Sequence, residues 1–152
     1  MKDRLKASLK QLKRLVHIRD TYVSAAESGV KQAEEHVRSL EAADSAASGN
    51  IQRTRAEIAY RQTTTGRDVH NDARYLQAQE NQRELIRQSL EMATGKLEQR
   101  RKEWTEAMRE KKIVAKLQER RLHQFEREDD VAQQKAQDDA FAARYVRTRF
   151  EN

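Results

Sequence analysis

Residues 5–58 read LKASLKQLKRLVHIRDTYVSAAESGVKQAEEHVRSLEAADSAASGNIQRTRAEI. Within this stretch Leu5, Leu9, Leu12, Val16, Arg19, Val23, Ala26, Val30, Ala33, Val37, Leu40, Asp44, Ala47, Ile51, Thr54 and Ile58 follow one another at alternating steps of 4 and 3, and only Arg19, Asp44 and Thr54 are not apolar. A mean step of about 3.5 residues is close to one helical turn, so these side chains draw a single stripe along one side of a helix. Such a stripe needs a partner helix to leave water. The phase never slips, which reads as one long rod and not as several packed helices. A long coiled coil has no interior in which to build an active site, so the pattern points to a mechanical or adhesive role.

Working outward, the next break falls at Thr63-Thr64-Thr65-Gly66-Arg67-Asp68-Val69-His70-Asn71-Asp72. It combines β-branched residues, Gly, Asn and Asp, and Asn71 or Asp72 suits the cap of a following helix. The expected layout is one coiled-coil domain over 1–152, with a helix over about 3–62, a turn over about 63–72 and a helix over about 73–148. At about 1.5 Å per residue the first helix would be about 90 Å long. A rival turn, Asp44–Asn50, ranks second because the heptad phase passes through it unchanged; Gly and Ser there weaken the helix. In the second helix Leu76, Ile86, Leu90, Ala93 and Leu97 share one register. Trp104, Met108, Ala115, Leu122, Phe125, Ala132, Ala136, Ala143, Val146 and Phe150 share another. Consecutive steps of four near Arg101 join the two, a stutter that unwinds the supercoil locally between 97 and 108. Ile113, Val114 and Leu117 broaden the apolar face just beyond it. The fold class is therefore all-α, a long two-helix antiparallel coiled-coil hairpin. With its turn centred near 67, residue i faces roughly 135 − i, and residues 133–152 project past the N-terminus.

Composition agrees with a solvated helical assembly. Of 152 residues 37% are charged and 5% aromatic, Pro and Cys are absent, and the net charge is +6. The missing Cys excludes disulfides and thiolate metal sites and fits a reducing cytoplasm. No apolar run resembles a signal peptide or a membrane span, so a cytoplasmic protein with only peripheral membrane association is expected. His17, His36, His70 and His123 share no turn, and Gly29, Gly49, Gly66 and Gly95 form no phosphate-cradling loop. With no nucleophile elbow and no calcium-loop spacing, no enzyme, no cofactor and no metal are expected.

Charge is uneven along the chain. Lys2, Arg4, Lys6, Lys10, Lys13, Arg14 and Arg19 stand against Asp3 alone, whereas Glu126, Glu128, Asp129, Asp130, Asp138 and Asp139 stand against Arg127 and Lys135. Antiparallel pairing sets the basic end beside the acidic segment, which helps choose the register. The basic run from Lys96 to Arg121 is interleaved with Glu98, Glu103, Glu106, Glu110 and Glu119, the pattern of a solvated helix face and not of a nucleic-acid stripe. The sole Trp, Trp104, is expected in the seam.

The C-terminal half resembles a known family. Residues 109–121 read REKKIVAKLQERR, followed by His123-Gln124-Phe125-Glu126-Arg127-Glu128 and by QQKAQDDAFAARY at 133–145. This is similar to the last helix of FliJ-type flagellar export proteins, with Asp139 where the family often has Glu. Leu12–Arg19 and Lys31–Val37 also fit, and the length and layout match over nearly the whole chain. The resemblance implies a non-enzymatic, stalk-like coiled coil of the flagellar type III export apparatus. It would lie in the cytoplasm, peripheral to the inner membrane at the flagellar base, and couple a hexameric export ATPase (FliI-like) to an export gate protein (FlhA-like). A FliH-like regulator and export chaperones are further implied partners, with no specific nucleic acid. Transferred here, the ATPase-facing end would use Arg4, Lys6, Lys10, Lys13, Arg14, Lys116, Arg120, Arg121 and Phe125, and the gate-facing end His36, Leu40, Tyr75, Ile86 and Leu90. The residues alone leave open an equivalent stalk of a virulence-type secretion system, a generic coiled-coil adaptor and an RNA-gripping hairpin.

Overall fold

The structure, a computed structural model, describes residues 1–150. It contains two helices, α1 (Lys2–Ala59) and α2 (Gly66–Phe150), and no strand among the described residues. The chain is an all-α, two-helix antiparallel hairpin. Its contacts group into two units. The first joins Met1–Val23 to the part of α2 from Glu106 onward, and the second is Ser24–Thr105.

The stripe of α1 is the seam. All of its positions are buried or half-buried, including the three that are not apolar. In the first unit Leu5, Leu12 and Val23 are the buried residues of α1. In the second, Val37 packs with Ala93 and Leu97, and Val30, Ala33, Leu40 and Leu90 close around them. Asp44–Asn50 is helical throughout, so the rival turn does not form. Heptad packing on both sides of Gly49 outweighs its propensity cost of about 1 kcal/mol.

On α2 the first register holds: Leu76, Ile86 and Leu90 are half-buried, and Ala93 and Leu97 are buried. From Glu98 to Glu106 every residue is exposed. The interval falls where the stutter is expected. Each step of four turns the side chain about 40° past a full circle, so two in succession roll the stripe off the seam. Trp104 sits within that interval and is 37% exposed, at the edge of the seam and not inside it. Met108, Ala115 and Phe125 return to half-burial, but Leu122 stays exposed. Ala132, Ala136, Ala143, Val146 and Phe150, expected as seam residues, are exposed as well. The reason is length: Lys2 already bonds Asp129, and α1 supplies nothing to cover α2 beyond it.

The helices end close together. α1 stops at Ala59 and α2 begins at Gly66, so most of the stretch read as a turn over 63–72 is helix. Thr65 and Asp68 explain the early start. The Asp68 amide donates to Thr65 Oγ1 at 3.2 Å, and the Thr65 amide and hydroxyl donate to Asp68 Oδ2 at 3.2 and 2.8 Å. This is a capping box, in which two otherwise unpaired amide groups are satisfied reciprocally. Arg61 then reaches across the turn to both carboxylate oxygens of Asp72, at 2.7 and 3.3 Å. Thr65→Ala should cost about 1 kcal/mol, the usual value of an N-cap. Thermal melting followed by circular dichroism checks it; an unchanged melting point would mean that the cap does not contribute.

Candidate interaction surfaces

Among the described residues no group of three His, Cys, Asp or Glu is placed to hold a metal ion. No helix among them is long and apolar enough to cross a membrane. What the hairpin presents is surface, and its character differs between the two units.

In the first unit the ion pairs Lys2–Asp129 and Asp20–Lys111 bracket a segment of antiparallel helices. Arg4, Lys6, Lys10, Lys13 and Arg14 lie between Lys2 and Asp20 on α1, while Lys116, Arg120, Arg121 and Phe125 lie between Lys111 and Asp129 on α2. The two sets are thus brought to one stretch of the unit. All eight cations are exposed, and none of them forms an ion pair among the described residues. Phe125 is half-buried, with the Lys2 ammonium 5.8 Å from its ring centre. Among the described residues the expected pairing of the basic and acidic segments is realised at Lys2–Asp129. Lys2, by its hydrogen bond and charge, holds Asp129 below the ordinary carboxylate value. Much of the basic charge is left to solvent. Beyond Asp129 every described residue of α2 is exposed, with Phe141, Tyr145 and Phe150 at 74%, 60% and 86%. Glu151 and Asn152, the last of the expected overhang, lie outside the described residues.

In the second unit the residues assigned to a gate-facing end are spread out. Leu40 and Leu90 close the Val37–Ala93–Leu97 cluster. Ile86 borders a shallow groove of about 290 Å³ formed with Ala43, Ala46, Ala47, Asn50, Gln79 and Gln82. His36 is exposed beside the cluster. Tyr75, 59% exposed, stands apart, between the levels of the Arg55–Glu80 and Arg61–Asp72 ion pairs. The structure does not bring Tyr75 to the others.

Two polar layers interrupt the seam, and both were visible in the sequence as odd residues without known partners. Arg19 bonds Glu110. Asp44 accepts from Arg83 Nε at 3.0 Å and has Arg87 Nε at 3.6 Å. The Arg83 hydrogen bond, with the charges of Arg83 and Arg87 added, holds Asp44 below its ordinary value of 3.8. A depressed carboxylate contributes stability that is fully present above 3.8 and is lost as pH falls through the lower folded-state value. Carboxyl-carbon NMR titration should therefore place the Asp44 midpoint below 3.8, and Arg83→Gln should move it upward. A midpoint unmoved by the substitution would detach Asp44 from Arg83.

Fold and surface together define a class: an antiparallel helical pairing with no metal-binding cluster among its described residues, a basic stretch and a long uncovered helix end. The chain belongs to the FliJ family: the family described as flagellar FliJ protein matches residues 8–150, nearly its whole length. It is therefore a component of the flagellar protein export apparatus. No curated protein and no solved structure matches it significantly.

Proposed function

We propose that the chain is the non-catalytic stalk of the export apparatus, linking the hexameric export ATPase to the export gate. The observation that carries this is the pairing of exposed cations with an uncovered helix end in the first unit. A closed ring of identical subunits offers a central opening. The antiparallel pair, led by the helix end that reaches past its partner, enters such an opening. Arg4, Lys6, Lys10, Lys13, Arg14, Lys116, Arg120 and Arg121 then meet acidic groups on the ring, with Phe125 as an apolar contact. Because the ring is symmetric and the stalk is not, contacts differ from subunit to subunit. That asymmetry is what a coupling element needs. The opposite end, with His36, Leu40, Tyr75, Ile86 and Leu90, meets the gate, and the chain works in the cytoplasm at the base of the flagellum. A FliH-like regulator and export chaperones complete the set of partners.

The test is binding to the purified export ATPase ring by the full chain and by a chain ending at residue 132. Loss of binding on truncation is expected. Equal binding by both chains would sink the stalk reading.

A further inference from the structure

The first unit carries a second apolar row beside the seam. Leu15, Ile18 and Tyr22 follow at steps of 3 and 4, one position over from the seam residues Val16, Arg19 and Val23. They are 43%, 47% and 60% exposed. On α2, Ile113 is 60% and Leu117 43% exposed, and Val114 between them is half-buried. Arg19 joins the two rows. It bonds Glu110, which stands one turn before Ile113 and Val114, and its guanidinium lies 5.9 Å from the Tyr22 ring centre. Leu15, Ile18 and Tyr22 on α1 and Ile113, Val114 and Leu117 on α2 therefore share one side of the pairing. By helical spacing the other side holds Lys6, Lys13 and Asp20 against Lys112, Glu119 and Glu126, and is charged throughout.

We propose that this side is a docking trough for a third helix, an amphipathic one with acidic flanks. Two apolar rows on adjacent helices leave a groove into which the ridge of another helix fits. The α1 row extends over about two turns and the α2 row over about one, enough together to accept apolar anchors at i, i+3 and i+7. The rim settles the charge of the occupant. Arg14, Arg109, Lys116, Arg120 and Arg121 surround the patch, and none forms an ion pair among the described residues. Of the acids on this side of α2, Glu110 is taken up by Arg19, and Glu106 stands a further turn away from Ile113, at the end of the rows. A second copy of this chain would set basic rim against basic rim, which argues against self-pairing. The trough runs along the side of the unit, so it is a separate surface from the helix end beyond Asp129. It shares Arg14, Lys116, Arg120 and Arg121 with the stalk reading but needs Ile18 and Leu117, which that reading does not use.

The experiment uses the full chain and two designed, fluorescein-labelled helical peptides. Both carry Leu at i, i+3 and i+7; one has Glu flanks and the other Lys flanks. Fluorescence anisotropy should show binding of the Glu-flanked peptide, weakened by salt, and at least tenfold weaker binding of the Lys-flanked one. Ile18→Gln and Leu117→Gln should each weaken the Glu-flanked peptide about tenfold while leaving the melting curve unchanged, since both side chains are already part-exposed. No binding, equal binding of the two peptides, or binding indifferent to both substitutions would overturn the proposal. So would a dimer in sedimentation that Ile18→Gln dissolves, which would assign the trough to a second copy. These readouts do not involve the ATPase, so failure here is distinguishable from failure of the stalk reading.

Discussion

A chain ending at residue 132 should keep its melting temperature within about 2 °C of the full chain and, on the stalk reading, should lose its hold on the export ATPase ring. The first half of that expectation is physical. Stability of a coiled coil comes from apolar area removed from water, at about 25 cal/mol per Å². Every described residue beyond 132 is exposed, so deleting them returns no buried seam to water. Phe141, Tyr145, Val146 and Phe150 are more than half exposed as it is. A lone helix of this length is marginal in water, so it adds little to the cooperative melt. The second half follows from the same exposure. Large apolar side chains left in water on a helix with Arg144, Arg147 and Arg149 between them suit a partner better than they suit solvent. Far-ultraviolet circular dichroism and ring binding on the same two proteins make the comparison. A large drop in melting temperature would show that the segment is part of the core and that the covered length of α2 is longer than drawn here.

Leu97→Ala carries the largest expected loss of stability, about 2–4 kcal/mol. Leu97 is 7% exposed and packs with Val37 and Ala93 in a buried cluster to which both helices of the second unit contribute. Ala93 is already small, and Val30, Leu40 and Leu90 around the cluster are only half-buried at its edge, so the hole left by Leu97 is filled only if they shift inward. For a chain of this size the loss corresponds to a fall in melting temperature of about 5–10 °C. Leu85→Ala is the matched control: Leu85 is 64% exposed, and its truncation should stay within about 0.5 kcal/mol. Urea unfolding of both variants gives the comparison. Similar midpoints would mean that the Val37–Ala93–Leu97 cluster does not hold the unit together.

Much of the architecture was legible because heptad spacing is a local property of the chain. The α1 stripe predicted every seam position from Leu5 to Ile58, polar ones included; near Arg101 the run of fours predicted a local change of register, but not that Trp104 would be exposed with the whole interval from Glu98 to Glu106. The turn was harder to place. Its residues favoured a break over ten positions, yet Thr65 and Asp68 cap each other only once α2 is already helical at Gly66. Heptad spacing alone runs on from Ala132 to Phe150, but the pairing register had residues 133–152 projecting past the N-terminus, and the described part of that segment is exposed throughout.

The sequence by itself determined that this is a helical hairpin of the FliJ family, because periodicity, the missing Pro and the run from Arg109 to Tyr145 are written in residue order. Only the tertiary structure decided which charges are spent and which remain. Arg19 and Asp44 are seam residues with partners on α2, Lys2 takes Asp129, and the other basic residues near the N-terminus are left to solvent. The physical reason is that an ion pair across two helices depends on register and side-chain reach to within a few ångströms. Hydrophobic periodicity sets the register only to about a turn.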